Sequence, residues 1–414
     1  MRAWYRANIG GLPGTFWYLW SGLLLNRVGG FGIIFLSLYL VQSRGLGLTA
    51  AGLVVGLYGV GGCFGVLIGG VLADRWGRRR TLLASHAATT VFLLGLAFVP
   101  WVPMIAMFTC LVGAAQSMVG PPLIAAMVDV VPEPDRSRAF SLEFWAINVG
   151  TTVAAPLAGL LAEVGFTPLF LVEALATFGT LLILAIKVPE TLPAAPERAS
   201  RADRAAGGSG GGLGSVLADR TYMTFVGLTF VLGVLTLITV RILPLAMAQN
   251  HLRPSAYGLV MGFSGLLIVA GQLFVPRLIQ GYGKPRVLGL SNALLAAGIT
   301  FIAICHVIPM YLVAAAIFTF GQMLGAPANA MTIAELSLPA LRARYQAVFY
   351  LSFPVAGFVA PALGGWSLQH LGTWTWVICG VLGALSALGH LLAGPSRERR
   401  AAALRATEKV PALR

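Results

Sequence analysis

Charge is what this sequence lacks most. Only 10% of its 414 residues are charged, whereas a soluble globular chain carries about a quarter. Acidic residues number just 14, and 57% of positions are hydrophobic, giving a mean hydropathy of +0.84. Such a chain dissolves in lipid. Cysteine is scarce too. Cys63, Cys110, Cys305 and Cys379 lie inside apolar runs without C-x-x-C spacing, which reads as four buried thiols and excludes a disulfide scaffold. His86, His251, His306, His370 and His390 show no ligand spacing, so no metal is expected. The glycine run at 207–215 lacks the G-K-[ST] ending that cradles phosphate, which excludes ATP as a direct energy source. With no H-E-x-x-H or G-x-S-x-G motif, an enzyme is not expected. The N-terminus has no short apolar core followed by a small-residue cleavage site, so the first helix reads as an uncleaved insertion signal.

Long apolar runs fill the chain. Twelve spans are expected, over 16–41, 49–72, 81–100, 103–128, 139–164, 167–187, 222–248, 255–279, 287–306, 309–333, 345–370 and 373–393. Each has the roughly 20 residues that a bilayer core of about 30 Å requires. Trp17, Trp20, Trp101, Trp366, Trp374 and Trp376 fall toward span ends, where an aromatic belt sits. The connections alternate in charge. One set holds Arg2, Arg6, the cluster from Arg75 to Arg80, Arg136, Arg138, Arg198, Arg201, Arg204, Arg220, Lys284, Arg286, Arg342, Arg344 and the tail from Arg397, while the other holds Arg44 and Arg253. That asymmetry puts both termini and the central loop in the cytoplasm of a cell-membrane protein. The formal net charge of +14 is then a topology signal, with the bilayer as its partner and no nucleic acid.

The expected organisation is a six-helix bundle over 1–188, a cytoplasmic linker over 189–220, a second bundle over 221–394 and a basic tail over 395–414. The linker is built of alanine, glycine and charge, too little apolar area to fold alone. The tail is open between a basic helix on anionic lipid and a disordered segment. A gapless shift of 206 residues (283 − 77) relates the two bundles. It pairs Gly77 with Gly283, Arg78 with Lys284, Gln116 with Gln322, Pro121 with Pro327, Asp129 with Glu335, Arg136 with Arg342 and Gly159 with Gly365. Two related bundles can rock about a shared central site. Glycine stripes let helix backbones approach closely, and their concentration in three spans favours a gating interface there: Gly52 and Gly56, then Gly61, Gly65 and Gly69 in the second span, Gly258 and Gly262 in the eighth, and Gly357, Pro361 and Gly365 in the eleventh.

The stretch Gly69–Arg80 reads GGVLADRWGRRR. Gly77 permits a tight turn between antiparallel helices, Asp74 can pair with cations or a helix N-terminus, and the arginines can fork onto carboxylates. The spacing of Gly70, Asp74, Arg75, Gly77, Arg78 and Arg79 resembles the signature loop of major facilitator superfamily transporters, in the drug and metabolite exporter branch. Val188-Pro189-Glu190-Thr191 resembles the family's PET ending after the sixth span. The resemblance implies the all-α fold of twelve transmembrane helices in two repeat-related six-helix bundles, working by alternating access. It implies that Asp74 contacts the eleventh span and that Asp74, Arg75, Arg78, Asp129 and Glu335 form a cytoplasmic charge network. Gln280 stands where the second copy would place Asp74, so the latch is expected to be asymmetric. Ala155-Pro156-Leu157-Ala158-Gly159 matches the exporter signature G-P-x-x-G-G in part, and Ala360-Pro361-Ala362-Leu363-Gly364-Gly365 matches it better, which favours export. The R-x-x-Q-G of proton antiporters lacks its arginine at Gly113-Ala114-Ala115-Gln116-Ser117. The first span is distantly similar to the E-R-F…Y-L pattern of peptide symporters, with Asn26 in place of the glutamate, which argues against peptide uptake by that route.

Polar residues inside the spans are the cavity candidates. Arg27 lies about 16 Å into the first span at 1.5 Å per residue, and a charge there needs a wet cavity or a partner. Arg241 sits nearer the outer face and stays open between transport and snorkelling. Glu173 is a candidate partner or protonatable site. Glu143, near a helix start, reads as structural. Gln116 and Gln322 line the cavity from both halves or bond between helices. With Asn26 these are the central-cavity and coupling candidates, and the family resemblance implies a secondary-active transporter, expected to be a monomer without cofactor. It would export small lipophilic or amphipathic compounds and take the proton as coupling ion. The alternatives are an importer or exchanger of a small polar or anionic metabolite, and a non-transporting receptor or scaffold. The topology has a direct test: a cysteine at Gly210 should be labelled by an impermeant reagent in inside-out vesicles only, and labelling of intact cells would overturn the orientation.

Overall fold

The structure, a computed structural model, describes residues 11–192, 213–272, 274–338 and 341–408. Among them are 12 helices long and apolar enough to cross a membrane. Numbered as spans 1 to 12, these are Gly14–Gln42, Leu48–Arg75, Arg78–Phe98, Val102–Val130, Glu133–Val164, Thr167–Lys187, Arg220–Gln249, Pro254–Gly271, Lys284–Ile304, Ile308–Leu336, Arg344–Leu371 and Trp374–Leu392. The 206-residue shift carries 78–98 onto 284–304 and 102–130 onto 308–336, so the sequence repeat is also a repeat of helix boundaries. Two local breaks in the first half depart from a continuous helix. Span 1 divides into Gly14–Val28 and Gly32–Gln42, and span 4 into Val102–Ser117 and Gly120–Val130, where Pro121 and Pro122 begin the second piece. Proline lacks the N–H that would continue the ladder but suits a first turn. Span 8, expected to run to 279, ends at Gly271 and is followed by a short helix, Val275–Ile279.

The described residues form two compact units. One holds spans 1 to 6 together with 240–269 and 357–369, and the other holds 213–239, 270–356 and 370–408. The expected division at 189–220 differs from this because the ends of spans 8 and 11 lie on spans 5 and 2. A Cβ on Gly52 would collide with the Pro361 carbonyl, one on Gly365 with the Leu48 carbonyl, and one on Gly258 would stand 2.6 Å from the Ala155 carbonyl. Gly159 approaches Gly258, with 3.1 Å left for an added Cβ, and Gly262 seats the Pro156 ring. Small residues let these backbones meet where water and long side chains are absent.

Gly61 and Gly65 serve a different contact from Gly52. An added Cβ at either would enter the backbone of span 4, at the Cys110 and Ala114 carbonyls, and Gly69 faces Met118 of the same helix. The lower part of the glycine stripe is therefore packing inside the first bundle.

In the second unit the end of the expected linker is ordered. Leu213–Leu217 is a short helix, and Asp219 behind it is buried. Its carboxylate accepts the Tyr222 amide at 3.1 Å and the Tyr345 hydroxyl at 2.8 Å, and pairs with Arg400 at 2.5 Å. Residues 193–212, the rest of that linker, lie outside the described residues, as do Arg2, Arg6 and the tail beyond 408. The tail forms a helix, Gly394–Glu408. Arg397 is buried under it against the Phe225 ring, 5.9 Å from its centroid, and bonds to His390. Burial lowers its pKa from the usual guanidinium range. Basic residues thus fasten this helix to its bundle.

The span 2–span 4 contact sets a cost. Gly61→Val places two methyl groups into a backbone already in contact, and overpacking of this kind costs about 1–3 kcal/mol. The variant should lose several degrees in thermal unfolding of purified protein, and an unchanged transition would show that the contact tolerates side chains.

Candidate transport site

Span 1 breaks between Val28 and Gly32, where two glycines bring its backbone against span 6. An added Cβ at Gly29 would overlap Ala176 of span 6, and one at Gly32 would meet the Phe170 ring at 2.6 Å and the Glu173 carboxylate at 2.8 Å. Phe31 turns back to the Gly29 carbonyl at 2.9 Å instead of continuing the α-helical ladder. The second half, an 11-residue helix, therefore starts inside the membrane with free N–H groups and a partial positive charge. In hydrocarbon such groups need a partner. Glu173, 4% exposed, supplies it: its Oε2 accepts the Gly32 amide at 2.6 Å.

The other carboxylate oxygen continues the chain of bonds. Gln116 of span 4 donates Nε2–H to Glu173 Oε1 at 2.8 Å, and its Oε1 accepts the Tyr58 hydroxyl of span 2 at 2.8 Å. Over the Tyr58 ring lies the Arg241 guanidinium, 5.5 Å from the centroid, a cation–π distance. Arg241 is not snorkelling outward. Its Nη1 donates to the Ile33 carbonyl at 2.8 Å, and its own carbonyl accepts the Ser37 hydroxyl at 2.8 Å. Pro244 explains why span 7 can take part. A proline denies a hydrogen bond to the carbonyl four residues earlier, here Val240, which the Tyr257 hydroxyl satisfies at 2.6 Å. The circuit closes from span 1 through spans 6, 4, 2 and 7 back to span 1, all within the first unit.

Beside it is a cavity of about 300 Å³. Asn26, Arg27, Tyr58, His86, Gln116 and Glu143, with serine and threonine hydroxyls, form its polar wall, among leucine, valine and isoleucine side chains. Arg27 is exposed to this space. A Cβ at Gly150 of span 5 would overlap the Arg27 Cβ, so the stem is held while the head is free. Glu143 of span 5, expected to be structural, is half-buried in the same cavity, where it feels the charge of Arg27. Asn26 is occupied: its Nδ2 donates to Thr177 of span 6 at 3.2 Å. His86 spends Nδ1 on the Leu82 carbonyl at 2.8 Å, which leaves Nε2 for the cavity. Gln322, the repeat counterpart of Gln116, is half-buried on span 10 in the second unit. Among the described residues no group of three His, Cys, Asp or Glu side chains could hold a metal ion.

The basic loop forms a second cluster. Gly77 has φ +111°, where a side chain would be strained. Arg78 reaches Asp74 at 3.1 Å and Asp129 at 3.3 Å, and donates to the Ala73 carbonyl at 2.7 Å. Arg79 bonds the Ala185 carbonyl at 2.6 Å. Asp74 and Arg75 are exposed, while Gly70 is half-buried with open space at its Cα. Glu335 pairs with Lys284 at 2.6 Å in the second unit. The 206-residue shift maps Arg78–Asp129 onto Lys284–Glu335, so each half keeps the same ion pair.

The chain matches the sequence model of the Major Facilitator Superfamily over residues 19–241 and 225–413. It belongs to the major facilitator superfamily. Among curated proteins it is 24% identical to a Na(+), Li(+), K(+)/H(+) antiporter of Planococcus maritimus, over 86% of this chain and 90% of that protein. It is 24% identical to the multidrug resistance protein MdtH of Enterobacter sp. (strain 638), over 86% and 89%. Among solved structures, a peptide transporter POT in complex with sulfate matches with TM-score 0.76 at 18% identity, covering 97% of this chain and 99% of that one. A D-xylose-proton symporter matches with TM-score 0.71 at 16% identity, over 93% and 98%. At these identities the structures speak for the superfamily fold alone.

Within this superfamily member, three site residues escaped sequence reasoning. Tyr58 gave no signal among the other tyrosines. Thr177 lies three residues from Ala174 on an apolar helix, and nothing marks it as a partner for Asn26. Glu190 had a signal, the PET ending, but its task is visible only in three dimensions. Its Oε1 accepts the amides of Arg78 at 2.8 Å and Arg79 at 3.3 Å, capping span 3 from 112 positions away in sequence. Gln116 is the link that can be removed cleanly. Gln116→Leu would strand the Glu173 Oε1 and the Tyr58 hydroxyl, and an unsatisfied buried group costs about 1–3 kcal/mol. Thermal unfolding should drop accordingly, more than for Gln322→Leu, and equal behaviour of the two variants would show the circuit to be energetically idle.

Proposed function

We propose that this multi-pass membrane protein is a secondary-active exporter of small lipophilic or amphipathic compounds, driven by protons and working by alternating access. The observation that carries it is the cavity of about 300 Å³, walled about equally by aliphatic and polar side chains, with Arg27 and Glu143 as its charged groups. A wall that mixes apolar surface with neutral polar groups suits compounds of mixed character, and a highly charged substrate would need more fixed countercharge than Arg27 and Glu143 supply. The multidrug and antiporter names of relatives support the same direction. The gating loop around Asp74, Arg75, Gly77, Arg78 and Asp129 serves the cytoplasmic gate in the first unit, as Glu335 with Lys284 does in the second. Pro156, Gly159, Pro361 and Gly365, set against Gly258 and Gly52, serve at the opposite ends of the spans. The protein sits in the cell membrane as a monomer with both termini in the cytoplasm, uses neither ATP nor a cofactor, and catalyses no covalent chemistry. The second reading, an importer or exchanger of a small polar or anionic metabolite, has Arg27 in its favour, because its guanidinium is exposed to the cavity.

Inside-out vesicles with an internal pH dye and an acid-inside gradient separate the two. Lipophilic cations, neutral drugs and organic anions are added in turn, with Asp74→Asn as the variant control. Export by antiport predicts a proton leak that depends on added lipophilic compound and falls at least several-fold in Asp74→Asn. Uptake of labelled organic anions without a gradient, lost in Arg27→Gln, would instead establish the second reading. Absence of leak and of uptake for every compound would leave a non-transporting role.

A further inference from the structure

We propose that Glu173 is the group that carries the coupled proton, and that it works by holding or releasing the half-helix Gly32–Gln42, to which Arg241 ties the end of span 7. This rests on the proton-driven reading above and names the residues that execute it.

The geometry leaves the carboxylate no slack. Both oxygens are engaged as acceptors, Oε2 by the Gly32 amide at 2.6 Å and Oε1 by the Gln116 amide at 2.8 Å. Gln116 bridges the carboxylate to the Tyr58 hydroxyl, which donates to its Oε1 at 2.8 Å, so a change of protonation at Glu173 is felt at Tyr58 as well. Protonation forms one O–H bond, moves no electrons and needs no co-reactant beyond water. On either oxygen it adds a donor to a group surrounded by donors and makes the carboxyl a weaker acceptor, so the Gly32 N–H loses its charge-assisted bond. The negative charge that faced the positive end of the half-helix vanishes in the same step.

Arg241 transmits the change. It is the charged side chain that bears electrostatically on Glu173, and the titratable group behind Gln116 is Tyr58 of span 2, which feels both Arg241 and Arg27. Span 1 presents only backbone amides to the carboxylate. Span 3 has no titratable side chain between Ala87 and Phe98, and its Leu93 and Leu96 pack with Phe170 and Ala174 around it. With Glu173 charged, Arg241 is drawn toward the carboxylate while it bonds the Ile33 carbonyl at 2.8 Å and accepts from Ser37 at 2.8 Å. With Glu173 neutral, both anchors of the half-helix weaken together. Arg241 is a positioning residue in this scheme, and Glu173 carries the proton.

The test uses full-length protein in nanodiscs, without substrate. Infrared spectra across a pH titration report the carbonyl stretch of a buried protonated carboxyl group. Spin labels at Gln42→Cys and Gln249→Cys, with the four native cysteines changed to alanine, report the distance between the exposed ends of span 1 and span 7. Wild type should show a titrating band and a label distance that lengthens with the same midpoint. Glu173→Gln should lack the band and hold the longer distance at every pH. Arg241→Lys, which keeps the charge but not the fork, should retain the band and lose the distance response. Should Glu173→Gln not yield folded protein, Glu173→Asp should keep a band with a displaced midpoint. A band that persists unchanged in either Glu173 variant, or a wild-type distance indifferent to pH, overturns the proposal. Because neither readout needs a substrate, a titrating band in a protein that moves no lipophilic compound would support Glu173 and sink the export reading.

Discussion

The amides opened by the break in span 1 are the constraint around which the first unit is arranged. A helix that starts in hydrocarbon exposes N–H groups that water cannot reach, and several kcal/mol would be lost for each one left bare. Glu173 answers that demand, and the answer creates a second one, since a buried carboxylate must itself be satisfied. Gln116 and Tyr58 meet it by passing hydrogen bonds outward to the wall of the cavity. Five spans are thereby joined through side chains whose only common feature is that each resolves the shortage left by the one before. Such a network is stable while every member is matched, and any change in the number of donors is felt along it.

A similar exchange of defects links span 7 to span 1. Pro244 strips a partner from the Val240 carbonyl, and Tyr257 restores it. The neighbouring Arg241 carbonyl is taken by Ser37. Continuous helices would offer no backbone groups to one another and could meet only through apolar contact, which lipid supplies equally well. The defects are therefore the means by which these helices recognise each other. The glycine contacts do the complementary work, bringing Gly52 to Pro361 and Gly159 to Gly258 with no side chain between. Hydrogen bonds hold one pair of helices at the centre of the membrane, and bare backbone holds the others at their ends.

Much of this architecture was written in the sequence in a form that periodicity and charge can read. Twelve runs, the placement of arginines and the 206-residue shift require no knowledge of which faces meet, because length and lipid alone dictate them. Gly77 was legible for the same reason, as its φ is a local property. What stayed hidden depends on pairing. Glu173 stood out as a buried acid, but its partner is a backbone amide, and any residue offers one of those. Gly61 and Gly65 form a stripe that looks like the one at Gly52 and Gly56, yet the first faces span 4 and the second span 11, a distinction of helix neighbourhood that spacing does not encode. Arg241 looked free to reach the surface, because a sequence shows how far a side chain can stretch and not that a carbonyl and an aromatic ring lie closer. The order at 213–219 was obscured by glycine-rich composition, since a buried Asp219 is stabilised by Tyr345 and Arg400, more than a hundred residues away.

The repeat sharpens the division of labour. Arg78–Asp129 and Lys284–Glu335 occupy equivalent positions in the two halves, as expected for a pair that ties helix ends in both bundles. The central circuit is not duplicated. Under the same shift Glu173 falls on Cys379, Tyr58 on Ser264, Gly32 on Ile238 and Arg27 on Gly233, and span 7 runs through the region where span 1 breaks. Duplication provides two copies of everything, so a feature present once has either been lost from one copy or acquired by the other. A charge in mid-membrane costs about 2.5–3.5 kcal/mol on insertion scales, and that cost falls on each copy separately. A single buried acid can sit in one copy alone, while both copies need their helix ends tied. The second copy accordingly retains the ion pair and has a thiol where the first has its acid.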